Sequence, residues 1–256
     1  MSQVVVLCGG LGTRMTSVSG PGQKCMIPVA GIPFLGHVLD RVVNPPVDDV
    51  LLLAGHAGQS VQEFAETWCR RRPPSNHGRR TSWAALRPTV FVESAPAGPI
   101  GALRKAIDHL ADEFLLVLGD VLPPERAELW LHLFRVLHET GAAAVMSVAT
   151  EARSRDQGNV SIQGPWVTRY DKTVAAPYID RGIRFLRRDA LARHAGDLDG
   201  PFFGSLAERG ELAQWSCDEP IVEIGTPERW RAACAALADP LTPQALLPGR
   251  VERPSQ

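Results

Sequence analysis

Lysine is nearly missing from this 256-residue chain. Of its 27 basic residues only Lys24, Lys105 and Lys172 are lysines. A compact ammonium and a planar guanidinium are not interchangeable at a phosphate, so each surviving lysine carries information. Lys105 falls in a helix-like run and reads as a solvated surface charge. An excess of charge of either sign is also missing: the formal net charge is −1. That excludes a general binder of nucleic acid or of an anionic membrane surface. No apolar run approaches the roughly 20 residues a bilayer span needs. The N-terminus lacks a basic-then-apolar targeting segment. The five cysteines (Cys8, Cys25, Cys69, Cys217 and Cys234) are odd in number and form no CxxC pair. A disulfide framework or zinc ribbon is therefore excluded, and a reduced cytoplasmic protein is the simplest reading. Cys8 and Cys25 read as small buried hydrophobes. No internal repeat is visible.

What is present is a substantial core and a regular alternation. Hydrophobic residues make up 45% of the chain. The length suits one α/β domain, with or without a small lobe. Buried strands are expected at Val4–Leu7, Val50–Ala54, Thr89–Val92, Phe114–Leu118 and Ala142–Val148. Helical spacing is expected over Phe34–Val43, Gln59–Cys69, Gly101–Leu110 and Pro124–Thr140. This order implies a Rossmann-like, doubly wound sheet, mixed but mostly parallel, with its site outside the strands' carboxyl ends. From about residue 151 the pattern changes to short strands, at Asn159–Ile162, Trp166–Tyr170 and Ile183–Leu186. Residues 1–238 therefore read as one domain, with an alternating half over 1–150 and a β-rich half over 151–238. The proline-rich tail over 239–256 reads as loosely ordered. Arg70–Arg87 holds six arginines and reads as a basic loop. A solvated insertion, an oligomer contact and a lid over phosphates all remain open for it.

The chemistry concentrates at the first strand's end. Val4-Val5-Val6-Leu7 runs into Cys8-Gly9-Gly10-Leu11-Gly12-Thr13-Arg14. Glycines there let the backbone approach a ligand and present N–H groups, while Arg14 and Lys24 add positive charge. Bare amides with two cations suit a polyphosphate. Two familiar alternatives fit poorly. A dinucleotide fingerprint needs GxGxxG leading straight into a helix, and Gly20-Pro21-Gly22 interrupts any such helix. A P-loop needs GxxxxGK[ST], which is absent. A second signal is Asp120, directly after the buried Leu115-Leu116-Val117-Leu118-Gly119. A carboxylate at that strand end emerges where ligands bind in such sheets.

With the loop GGLGTRM, then Lys24, then Pro28-Val29-Ala30-Gly31-Ile32-Pro33-Phe34-Leu35, the sequence resembles the sugar nucleotidyltransferases. Within them it is most similar to the heptose 1-phosphate and mannose 1-phosphate guanylyltransferases. The likeness runs from about residue 3 to residue 235. It implies a nucleotide-diphospho-sugar transferase fold and transfer of a nucleotidyl group from a triphosphate, with GTP implied, to a heptose or hexose 1-phosphate. It further implies a Mg2+ cofactor. Leu7, Gly9, Gly10, Gly12 and Thr13 would bind nucleotide, with Arg14 and Lys24 as catalytic cations. Asp120 of LGD would hold metal, joined by Glu223 of Glu223-Ile224-Gly225-Thr226-Pro227-Glu228, where the family carries aspartate. Glu93 and Gly98, in Glu93-Ser94-Ala95-Pro96-Ala97-Gly98-Pro99-Ile100-Gly101-Ala102, would meet the base. Pro99 and Ile100 depart from the family pattern there. Gly158, Asn159, Asp171, Lys172, Asp180 and Gly182 would bind the sugar phosphate, with Arg181 standing where the family has a small residue.

The expected partners are thus a nucleoside triphosphate and a sugar 1-phosphate, with no nucleic acid and no membrane. A homo-oligomer remains open. So do a thymidylyl-, uridylyl- or cytidylyltransferase of the same fold and a non-catalytic nucleotide-sugar sensor.

Overall fold

The computed structural model describes residues 2–9, 15, 22–43, 46–55, 58–71, 86–124, 129–150, 157–219 and 221–238. The strands are β1 (Gln3–Leu7), β2 (Pro28–Val29), β3 (Ile32–Pro33), β4 (Asp49–Ala54), β5 (Thr89–Val92), β6 (Glu113–Leu118), β7 (Val121–Leu122), β8 (Ala144–Thr150), β9 (Val160–Gln163), β10 (Trp166–Tyr170), β11 (Tyr178–Arg187), β12 (Leu212–Ser216) and β13 (Val222–Glu223). The α-helices are α1 (Phe34–Val42), α2 (Gln59–Arg71), α3 (Gly98–Lys105), α4 (Leu129–Thr140), α5 (Arg188–Arg193), α6 (Asp199–Glu208) and α7 (Pro227–Leu237).

Nine strands form one sheet in the order β5-β4-β1-β6-β11-β8-β12-β10-β9. β1 is apolar from Val4 to Leu7 because both its faces are covered. Val4 and Val6 join one core, with α1 and α4, while Val5 and Leu7 join the other, with α3 and α6. The period-two alternation of a strand divides its side chains between two helical layers. Helices therefore cover both faces of the sheet.

The sheet itself is mixed. β5, β4, β1 and β6 are mutually parallel, as are β8 and β12. β11 runs antiparallel to both β6 and β8, and β9–β10 is an antiparallel hairpin. A mostly parallel sheet thus describes the nucleotide-side half alone. In the second half the chain returns through a hairpin and the long β11, without a helical crossover at each step.

The helix expected over Gly101–Leu110 begins earlier, at Gly98, and ends at Lys105, followed by a single 3-10 turn at Ile107–His109. The described part of the helix expected over Pro124–Thr140 is Leu129–Thr140. β11 is longer than the segment expected from its apolar residues, because Tyr178–Asp180 also pairs with β8. α5, α6, β12 and α7 carry no clear signal in the sequence. α6, for example, contains Gly200, Pro201 and Gly204, residues that weaken a helical pattern.

Candidate active site

β1 and β6 lie side by side, so their ends deliver Cys8-Gly9 and Gly119-Asp120 to one place. Gly119 N donates to Leu7 O at 2.9 Å. A Cβ on Gly119 would lie 2.8 Å from that same oxygen, so only glycine fits between the two strand ends. Asp120 follows and reaches Lys24, whose Nζ lies 2.5 Å from Asp120 Oδ2. β7 then pairs with β13, setting Val121 opposite Glu223, and Ile224 N donates to Asp120 O at 3.1 Å. Two carboxylates over a hundred residues apart in sequence are brought together on paired two-residue strands. Glu223 forms an ion pair with Arg229 of α7. The N-terminus of that helix is capped by Thr226 Oγ1, which accepts from Arg229 N.

Asp120, Glu223 and Lys24 line one cavity of about 700 Å3, together with Asn159, Lys172, Asp180 and Gly182. Seven of the sequence-derived site residues therefore share a single space. Lys172 Nζ lies 3.1 Å from Asp199 Oδ2 on α6. The same carboxylate oxygen accepts from Arg184 at 3.2 Å. Arg184 is fully buried and also pairs with Asp180. Burial opposes its charge, but the two carboxylates outweigh that and raise its pKa. Burial would raise the Asp199 pKa, yet Arg184 and Lys172 hold it below the ordinary carboxylate value. The Tyr170 hydroxyl donates to Asp180 Oδ2 at 3.0 Å, and burial followed by the Asp180 charge pushes this phenol up. Asp180 therefore faces the cavity as part of a charge network with Arg184 and Tyr170, and its other oxygen accepts from Gly182 N.

Asn159 Oδ1 accepts from Asp180 N at 3.0 Å, fixing the hairpin against β11. Gly158 acts through its missing side chain: a Cβ there would fall 1.9 Å from Ala176 O. Asp171 is not among the residues lining the cavity. Its carboxylate is exposed and accepts from the Thr173 amide and hydroxyl, which lower its pKa.

The nucleotide end is assembled separately. Gly9 N donates to Leu53 O at 3.1 Å, so this amide is engaged by the sheet. A Cβ on Gly9 would be in ordinary van der Waals contact, 3.4 Å from Gly55 N and 3.8 Å from Glu93 Oε2. Leu7 is buried at the end of β1. Glu93 follows β5 with its side chain only 7% exposed. Its Oε1 has no hydrogen-bond partner and lies 3.9 Å from Lys105 Nζ. Burial raises the Glu93 pKa, while Lys105 and a hydrogen bond from the Ala97 backbone work the other way. Lys105 thus faces an active-site candidate rather than bulk solvent alone. Gly98 has φ +78° and stands where a Cβ would meet Asp197 O at 2.6 Å. Asp197 O accepts from Ile100 N and Gly101 N, so the first turn of α3 is capped from the sugar half. Gly10, Gly12, Thr13 and Arg14 lie outside the described residues.

Arg229, Asp199 and Arg184 are the site residues that sequence reading missed. Arg229 directly follows Glu228 in the recognised segment, a signal that was available. Asp199 and Arg184 sit on α6 and mid-β11, where only the folded sheet shows the connection.

Two carboxylates, Asp120 and Glu223, line one cavity, each paired with a cationic side chain, and oxygen donors of this kind suit a hard divalent cation. Among the described residues no helix is long and apolar enough to cross a membrane.

Known proteins are similar over almost the whole chain. A Bacillus subtilis protein described as a probable glucose-1-phosphate cytidylyltransferase is 29% identical over 230 residues, covering 82% of this chain and 86% of its own. The D-glycero-alpha-D-manno-heptose 1-phosphate guanylyltransferase of Campylobacter jejuni is 23% identical over 230 residues, covering 88% and 96%. The fold matches that of HddC from Yersinia pseudotuberculosis, solved in complex with GMP-PN. There the TM-score is 0.70 at 21% identity, with 92% of this chain and 99% of that one covered. The family model of the MobA-like NTP transferase domain matches residues 4–239. The chain therefore belongs to the MobA-like NTP transferase family, whose relatives include sugar 1-phosphate nucleotidyltransferases.

Proposed function

We propose that this protein is a Mg2+-dependent sugar 1-phosphate guanylyltransferase, acting on a heptose or hexose 1-phosphate. The observation that carries this is one cavity lined by Lys24, Asp120 and Glu223 and also by Lys172. Nucleotidyl transfer needs that layout. An oxygen of the sugar phosphate attacks the α-phosphorus in line, a new P–O bond forms, the α–β bridging bond breaks, and pyrophosphate leaves. Catalysis here is positioning and charge neutralisation.

Lys172 holds the sugar phosphate, and Asp199 orients Lys172. Lys24 offsets charge on the triphosphate close to the transferred phosphorus. Asp120 and Glu223 would hold Mg2+, which when bound neutralises charge on the phosphates. Buried Glu93 supplies a hydrogen-bond acceptor for the base edge, which suits the amino and imino N–H groups of guanine. The relatedness to a heptose 1-phosphate guanylyltransferase supports the same base.

A cytidylyltransferase is the second reading. It is favoured by the Bacillus subtilis relative, and a carboxylate acceptor can also take the amino group of cytosine. Incubating each of the four triphosphates with hexose and heptose 1-phosphates, and following pyrophosphate release, separates the two. Release with GTP supports the first reading and release with CTP the second. No release with any pair, from folded protein with Mg2+ present, leaves a nucleotide-sugar sensor and sinks both.

A further inference from the structure

Five cationic side chains line the cavity: Lys24, Lys172, Arg181, Arg184 and Arg229. Four hold a carboxylate: Lys24 has Asp120, Lys172 has Asp199, Arg184 has Asp180 and Asp199, and Arg229 has Glu223. Among the described residues, Arg181 is the lining cation that forms no ion pair. It is only 6% exposed. One nitrogen donates to the Glu219 backbone oxygen at 2.5 Å, and its Nε has no hydrogen-bond partner.

A guanidinium offers five donors in a rigid fork matched to carboxylate or phosphate. Burial lowers the Arg181 pKa, and Asp218 and Glu223 offset that only through charge at a distance, so its one direct partner is a neutral carbonyl. Its position is also built. The register of β11 against β8 shifts between Asp180 and Arg184, and Gly182 inside that shift has φ +71°. A Cβ on Gly182 would lie 2.9 Å from Leu118 Cδ1. Irregularities of this kind re-aim a side chain next to a site. Here the irregularity separates Arg181 from Arg184, so that Arg184 takes Asp180 and Asp199 while Arg181 takes neither.

We infer that Arg181 is the counter-ion for a second acidic group on the sugar substrate, a carboxylate or phosphoryl carried on the ring away from C1. The inference rests on the sugar 1-phosphate reading and narrows its substrate class to acidic sugars. The 1-phosphate already has Lys172. A neutral sugar would leave Arg181 buried without a direct ion pair in the complex, whereas an acidic one completes the pairing of every cavity cation.

The test compares acceptors that differ only at C6: glucose 1-phosphate, glucuronic acid 1-phosphate and glucose 1,6-bisphosphate. Pyrophosphate release is followed with all four triphosphates present, so the outcome does not depend on the base. The full chain is expected to show a KM about tenfold or more lower for at least one acidic acceptor, the scale of a single charged contact. Arg181→Gln should remove that preference while leaving the KM for glucose 1-phosphate unchanged, and Arg181→Lys should keep part of it. Equal KM values for all three acceptors in the native protein overturn the inference, as does an equal loss on all three in a folded Arg181→Gln. If that variant does not fold, the native protein's preference alone decides. If no acceptor releases pyrophosphate, the transferase reading fails instead. Calorimetric titration of the three sugar phosphates then decides the inference, with tighter binding of an acidic one supporting it and equal binding overturning it.

Discussion

Lys24 and Asp120 are 96 residues apart in the chain, yet the lysine ammonium lies 2.5 Å from the carboxylate. The pair joins the turn after the phosphate-loop segment to the end of β6. Each partner is only partly exposed, at 14% and 31% of the side chain. Asp120→Asn removes the anion that anchors Lys24 and halves the carboxylate set for a divalent cation. Turnover should fall by on the order of a hundredfold or more, the scale of losing one preorganised charge contact. Native-like thermal melting with lost pyrophosphate release is the expected result, and unchanged release would refute the assignment. Chelating Mg2+ from the native protein should reproduce the loss, and adding Mg2+ back should reverse it.

Glu223 carries the longer side chain where relatives in the resemblance carry aspartate, and it is held by Arg229. A metal taking this carboxylate must displace the guanidinium. Arg229→Gln should therefore tighten divalent binding, by about two- to fivefold given how little a part-exposed ion pair contributes. Titrating Mn2+ against the protein by electron paramagnetic resonance reads this without turnover. Weaker Mn2+ binding in the variant would show that Arg229 orients Glu223 for the metal rather than competing with it.

Gly158 is needed for space rather than for a positive φ. Its missing Cβ leaves room for Ala176 O, 1.9 Å from where that atom would be. Gly158→Ala must push the hairpin of β9 and β10 off β11, because the obstacle is backbone. Urea unfolding should show a loss of about 1–3 kcal/mol. The shift also moves Asn159, which fixes Asp180 N, so the KM for sugar phosphate should rise while that for the triphosphate stays put. Equal effects on both substrates would contradict this placement.

Glu93 offers a base two acceptor oxygens only when ionised, and burial raises its pKa above the ordinary 4.5. As pH rises through that raised value the two-acceptor carboxylate forms. The KM for the preferred triphosphate should therefore fall from mildly acid pH toward neutrality. Glu93→Gln keeps the shape but has a single acceptor oxygen and no titration. It should raise that KM by about tenfold at neutral pH and flatten the acid-side slope. A slope unchanged in the variant would assign it to another group.

How much of this was legible before folding depended on distance in the chain. β1, β4, β5 and β6 are short apolar runs bounded by turn residues, so local pattern located them. Lys24 and Asp120 stood out because one is a rare lysine and the other ends such a run. Lys172 was found on the same ground. The Gly9 amide misled, because its partner, Leu53 O, comes from a parallel neighbour that no local pattern reveals. Arg184 and Asp199 were invisible for the same reason. An arginine inside an apolar strand reads as an interruption until α6 brings a carboxylate to it. α6 itself was hidden by its two glycines and proline, which tertiary packing through Phe202, Phe203 and Leu206 overrides.

Asp199 lies between a fully buried arginine and the lysine assigned to the sugar phosphate, so its removal should have two separable effects. Burial alone would raise its pKa, but Arg184 first and Lys172 next hold it below the ordinary value. A depressed folded pKa means stability that is fully present above the unfolded value, about 3.9, and lost as pH falls through the folded one. The native protein should thus lose stability below about pH 4, and Asp199→Asn should lose less over that window. At neutral pH the variant weakens one of the two carboxylate partners of Arg184 and keeps Asp180, so the cost should be about 1.5–3 kcal/mol, that of one hydrogen bond to a charged group. Lys172 loses its tether at the same time, so the KM for the sugar phosphate should rise with kcat nearly unchanged. Denaturant melts across pH 3 to 7 read the first effect and steady-state kinetics the second. A variant that is destabilised at neutral pH but keeps the native KM would make Asp199 a partner of Arg184 alone.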